Sequence, residues 1–161
     1  MIETRYGNVL DVERGIIVHC CNCQGVMGSG IALEVKNRFP EAYKAYKDQE
    51  LAGEMKLGNC TFVEVADDKF IVNALGQHLY GSSGRFVSYD ALTTCFEKVR
   101  ELARHLNTHR PDNGPFEILF PKIGAVRAGG NWEIIKVIID ETIPDSIPKK
   151  IYYEYVPPGG V

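Results

Sequence analysis

Two hydrophobic rhythms alternate along the chain. Residues 15–20 (GIIVHC) form a continuous apolar run bounded by polar positions, the mark of a buried strand. After a glycine-rich stretch, Ile31, Leu33, Val35 and Phe39 open a helix, and Pro40 suits the first turn of a second one, PEAYKAYKDQEL. GNCTFVEVA and KFIVNAL predict two more strands, with Asp67 and Asp68 as the turn between them. GQHLYGSSGRFVS, rich in Gly and Ser, fits no regular element. Ser88 is placed to cap a long helix. Its apolar positions Leu92, Cys95, Phe96, Val99, Leu102, Ala103 and Leu106 trace one face at helical spacing. THRPDNGP reads as a surface loop, FEILFPKIG as a strand and AVRAGGN as a second glycine loop. NWEIIKVIIDETI reads as the last helix and KKIYYEYV as a closing strand.

Strands alternating with helices predict an α/β fold, a largely parallel sheet covered by helices on both faces. In such a sheet ligands bind beyond the carboxyl ends of the strands. Both glycine loops follow a strand and precede a helix, so both open on that edge and face one another. With no internal repeat and no linker, the pattern predicts one domain over residues 1–156 and a frayed tail over 157–161 (PPGGV).

Composition adds boundaries. With 161 residues, 45% hydrophobic and 24% charged, the chain suits one globular core. A net charge of −3 without a basic run argues against a duplex nucleic-acid surface, although a small phosphate site can be built from backbone amides. The first residues lack a charged segment followed by an apolar one, and no apolar run is long enough to span a bilayer. The expectation is a cytoplasmic monomer whose five cysteines are free thiols.

The stretch VHCCNCQGVMGSGIAL concentrates the candidate chemistry. Zinc asks for four ligands, usually from paired Cys-x-x-Cys elements, and Cys20-Cys21-x-Cys23 has no second pair; Cys60 and Cys95 stand alone. Cys20 and Cys23 have thioredoxin-like spacing, but the helix starts several residues too late. These thiols read chiefly as small packing groups, and neither a metal nor a cofactor is expected. The glycines say more. Gly25, Gly28 and Gly30 allow a tight turn and close approach of backbone to ligand. The helix that follows offers its free amides to an anion. The Rossmann fingerprint is incomplete here, but GAVRAGG supplies Gly124, Gly129, Gly130 and the cation Arg127 on the same edge. Two such loops suggest two sides of a diphosphate. Tight connections with no ligand are the alternative.

With these residues in place, the chain resembles the macro domain, an ADP-ribose-binding family. It is most similar to the branch of yeast-type ADP-ribose-1''-phosphate phosphatases and ADP-ribosyl-glutamate hydrolases. YGNVL resembles the family's first strand-to-loop element, HCCNCQGVMGSGIAL its first ligand loop, and FPKIGAVRAGGNWE its second. The resemblance implies a three-layer α/β/α sandwich with a mixed sheet. It also implies residue roles. Asn8 and Val9 lie near adenine, where many members carry Asp in place of Asn8. Cys21, Asn22, Gln24, Gly25, Met27, Gly28, Ser29, Gly30 and Ile31 surround the pyrophosphate and distal ribose, and Gln77 reaches in from the loop after IVNAL. Ile123, Gly124, Ala125, Val126, Arg127, Ala128, Gly129 and Gly130 clasp the phosphates.

The glutamate-hydrolase branch carries a Lys before the long helix and an Asp in the second loop. Those positions fall near Phe86 and Ala128 here, and the adjacent Arg85 is no nucleophilic amine. The resemblance therefore implies hydrolysis of ADP-ribose-1''-phosphate, with charge stabilised by loop amides, Asn22 orienting ribose or water, and His19 as acid or base; the alternative for His19 is a hydrogen-bonded, silent core histidine at a strand end. The alternatives are an ADP-ribose reader without chemistry, a deglycosylase acting on a modified macromolecule, and a generic nucleotide binder.

Overall fold

The computed structural model describes residues 1–79, 86–125, 128–145 and 149–157. Among these, six strands form a single sheet: β1 (Ile2–Tyr6), β2 (Gly15–Asn22), β3 (Cys60–Ala66), β4 (Lys69–Gln77), β5 (Ile118–Phe120) and β6 (Lys150–Glu154). Their spatial order is β1-β6-β5-β2-β4-β3, with β3 antiparallel to β4 and every other pairing parallel. The helices are α1 (Gly30–Arg38), α2 (Pro40–Leu51), α3 (Tyr89–His109) and α4 (Trp132–Thr142). A mixed, mostly parallel sheet lies between two helical layers, as the alternating pattern predicted. No helix among the described residues is long and apolar enough to cross a membrane.

The layers follow from side-chain alternation on the buried central strands. On β2, Ile16 and Val18 face one way and join α3 and α4 residues such as Phe96, Val99, Ile135 and Ile139 in the larger core. Ile17 faces the other way, with Val35 of α1 and Ala42 of α2. Cys21 follows on that side and packs with Met27, Tyr46 and Leu75. Ser88 caps α3, its side chain accepting from the Ala91 amide, and Pro40 occupies the first turn of α2. Asp68 turns β3 into β4 with φ of 60°.

The structure departs from the sequence pattern at three places. β1 is a strand of mixed polarity that borders only β6, so its residues are half exposed and carry no apolar run. β2 and β4 continue past their apolar stretches, because the parallel register carries polar Asn22 and Gln77 to the sheet edge. β5 is only three residues long and leaves the sheet at Pro121, which has no amide to donate.

Candidate functional site

A cavity of about 920 Å³ lies across the carboxyl ends of all five parallel strands. It runs from Gly7 after β1, past Glu154 and Pro121, to Asn22 and Gln77 at the ends of β2 and β4. One wall is the β2–α1 loop. Asn22 builds it: its Oδ1 accepts from the amides of Gln24 (3.0 Å) and Val26 (3.3 Å), and its Nδ2 donates to the Val26 carbonyl (2.8 Å). From α2, the Tyr46 hydroxyl donates to Asn22 Oδ1 and to its carbonyl (2.8 and 2.7 Å). Lys47 donates to the Gly25 carbonyl, and the Glu50 carboxylate lies beneath Gly25. Gly25 has φ of +77°, a conformation that favours glycine, and a β-carbon there would displace the Glu50 carboxylate.

The loop delivers Gly28, Ser29, Gly30 and Ile31 to the cavity, and with them the first turn of α1. Ser29 occupies the cap position but its side chain makes no capping bond, and the first turn carries no acidic residue. By contrast, α4 is capped by Asn131 Oδ1 on the Glu133 amide. The α1 terminus thus presents unsatisfied amides and the positive end of its dipole to the cavity, a site for an anion.

The facing wall is the loop after β5. The Gly130 amide donates to the Gly124 carbonyl (2.8 Å), and a β-carbon on Gly130 would lie 2.6 Å from that oxygen. The Ala128 carbonyl accepts from the amides of Phe86 and Val87, tying this loop to the segment entering α3. Pro121, Lys122, Ile123, Gly124 and Ala128 line the cavity.

The sequence expectations sort accordingly. Asn8, Val9, Cys21, Asn22, Gly28, Ser29, Gly30, Ile31, Gln77, Ile123, Gly124 and Ala128 come together around the cavity. Val126 and Arg127 lie outside the described residues. Gln24 points away, its amide donating to the His78 carbonyl, and Met27 is buried in the α2-side core. Gly25, Ala125, Gly129 and Gly130 do not line the cavity, and Gly25 and Gly130 lie in the two loops that do.

The structure places His19 away from the cavity, fully buried and absent from the lining. Asn73 Nδ2 donates to the Ala42 carbonyl and to Thr61 Oγ1, so its Oδ1 must accept, and His19 Nε2–H donates to it at 2.6 Å. Burial pushes the imidazole down to about 4, and the bond to Asn73 offsets this only in part. Asn22 does border the cavity, but its polar atoms are engaged in building the loop.

The pattern reading missed the β6 edge (Tyr152, Tyr153, Glu154, Tyr155) and also Gly7, Cys20, Val26, Ala32, Glu34, Pro121 and Lys122. Glu34 was findable: it lies three residues past Ile31 and four past Gly30, on the face of α1 that borders the cavity. Burial holds the thiols protonated, Cys20 pushed up to about 12 and Cys21 well above its usual range. No group of three metal-ligating side chains occurs among the described residues.

The macro domain family model matches residues 18–139. The DNA ADP-ribosyl glycohydrolase of Mycobacterium tuberculosis is 28% identical over 99% of this chain, which spans 43% of that relative, less than half its length. The ADP-ribose 1''-phosphate phosphatase of Saccharomyces cerevisiae is 25% identical, over 84% of this chain and 89% of the yeast protein. The solved macrodomain of Mycobacterium tuberculosis DarG superposes with a TM-score of 0.76 at 25% identity, covering 95% of this chain and 97% of that one. Its curated relatives include hydrolases of two kinds. The chain belongs to the macro domain family.

Proposed function

We propose that the chain binds ADP-ribose in the strand-end cavity and hydrolyses ADP-ribose-1''-phosphate to ADP-ribose and phosphate. The observation that carries the binding is the uncapped N-terminus of α1, opening between two glycine-built walls. A diphosphate satisfies those amides, and its two arms extend along the cavity to either side. The yeast phosphatase, which this chain matches over most of both lengths, supports the reaction.

Hydrolysis of a phosphomonoester needs a positioned water and stabilised charge on the phosphoryl oxygens. The backbone amides of the two loops supply the charge stabilisation without titrating. The leaving oxygen sits on an anomeric carbon, so it departs more readily than an ordinary alkoxide and asks less of a general acid. His19 has no part in this chemistry. By the resemblance, the second-loop carboxylate of the glutamate-hydrolase branch falls near Ala128, and the loop GAVRAGG carries no acidic residue.

Calorimetry with ADP-ribose, ADP and AMP tests the binding, and phosphate release from ADP-ribose-1''-phosphate tests the reaction. ADP-ribose binding well above ADP, together with phosphate release, is the expected result. Binding without release, under saturating substrate, reduces the chain to a reader. Release of ADP-ribose from modified DNA or protein in place of phosphate makes it a deglycosylase. Equal affinity for all three ligands removes the ADP-ribose assignment.

A further inference from the structure

The cavity has two unlike ends. At the β4 end the lining is Gln77, Gly124 and Ala128, small or polar groups. At the β1 end, Val9, Ile31 and Tyr153 line the cavity and pack on one apolar cluster, giving flat walls suited to a base. Beside these walls sit Asn8 and Glu34.

Their hydrogen bonds decide which of the two reads the base. Asn8 Oδ1 accepts from the Leu10 amide at 2.9 Å, and Asn8 Nδ2 donates to Glu34 Oε2 at 2.7 Å. The same Oε2 accepts from Arg38 at 2.8 Å, and that guanidinium also pairs with Asp11 at 2.8 Å. One oxygen of Glu34 is thus gripped by two donors from two elements, which fixes the carboxylate at the cavity edge. Its other oxygen, Oε1, receives no hydrogen bond among the described residues.

We infer that Glu34 is the base-selecting residue, its free Oε1 accepting from the exocyclic amino group of a 6-aminopurine, while Asn8 is a positioning residue. This rests on the ADP-ribose assignment and deepens it. A carboxylate oxygen carries only lone pairs. It accepts from a 6-amino group and repels the 6-oxo group of hypoxanthine. A site built to receive a donor rejects the analogue that lacks it, because both partners are left unpaired.

The test is calorimetry on the whole chain with ADP-ribose and with its hypoxanthine analogue. The unaltered protein is expected to prefer ADP-ribose by about tenfold or more, the range of a hydrogen bond to a charged group. Glu34→Gln, whose amide offers both a donor and an acceptor, is expected to bring the two ligands within about threefold. Asn8→Ala is expected to weaken both ligands and keep the preference. Equal binding of both ligands by the unaltered protein overturns the inference and leaves ADP-ribose binding intact. A preference lost in Asn8→Ala and kept in Glu34→Gln overturns it in favour of Asn8. Failure to bind either ligand removes the ADP-ribose assignment itself.

Discussion

The two faces of the sheet are built on different terms. On the α3/α4 face, one contiguous apolar core spans both helices and strands β2, β4, β5 and β6, and each helix begins with a side-chain cap. On the α1/α2 face the apolar clusters are smaller and are interrupted by buried polar groups, His19, Asn22, Asn73 and Gln49. There α1 begins uncapped, and side chains of α2 brace the loop before it. The first face is covered by capped helices on a continuous core, and the second leaves the α1 amides free at the cavity. The comparison separates scaffold from site within one small domain.

The sharpest way to break that comparison is to cap the open terminus. Ser29→Asp is expected to stabilise α1 by about 0.5–1 kcal/mol while weakening ADP-ribose about a hundredfold, because the new carboxylate takes the amides and repels the diphosphate. Opposite signs in thermal melting and calorimetry are the expected pair; a carboxylate that leaves affinity unchanged means that the terminus is not the anion site.

Acid should strike the α1/α2 face first. His19 has a folded value near 4 against about 6.5 when unfolded, so the unfolded chain binds the extra proton between those pH values. The stability that neutral His19 permits is complete above pH 6.5 and is lost progressively down to pH 4. The expected loss is roughly 2 kcal/mol by pH 5, read from urea midpoints. It should be absent when His19 is replaced by a non-titrating residue that still folds.

Tyr46→Phe removes the hydroxyl that holds Asn22. It should cost about 1–2 kcal/mol in stability and loosen the loop, so that ADP-ribose weakens as well. Ser88→Ala removes the cap on α3 and should cost about 1 kcal/mol with ADP-ribose affinity unchanged. If Ser88→Ala weakens the ligand as much as Tyr46→Phe does, the division between scaffold and site collapses.

The sequence pattern located these faces unevenly. The α3 helix announced itself through its cap and its regular apolar face, and those positions are buried as spacing required, apart from half-buried Leu102. The glycine loops were legible because their conformations admit few other residues, as Gly25 and Gly130 show. The sequence left His19 open between an acid or base and a hydrogen-bonded core histidine, and its pairing with Asn73, distant in sequence, was not legible from the strand itself. The β6 edge stayed hidden as well. A run of tyrosines on a strand is an ordinary surface pattern, and only the sheet order brings it to the cavity, whereas Glu34 could be read from its helical spacing to Gly30 and Ile31.

The cavity also joins the apolar cores on the two faces of the sheet. Tyr152 packs on the α3/α4 core and Tyr153 on the opposite one, yet both border the same space. A molecule filling that space acts as a rivet between two halves that can open separately. Its binding free energy should therefore appear as slowed amide hydrogen exchange in both helical layers, including residues far from any direct contact.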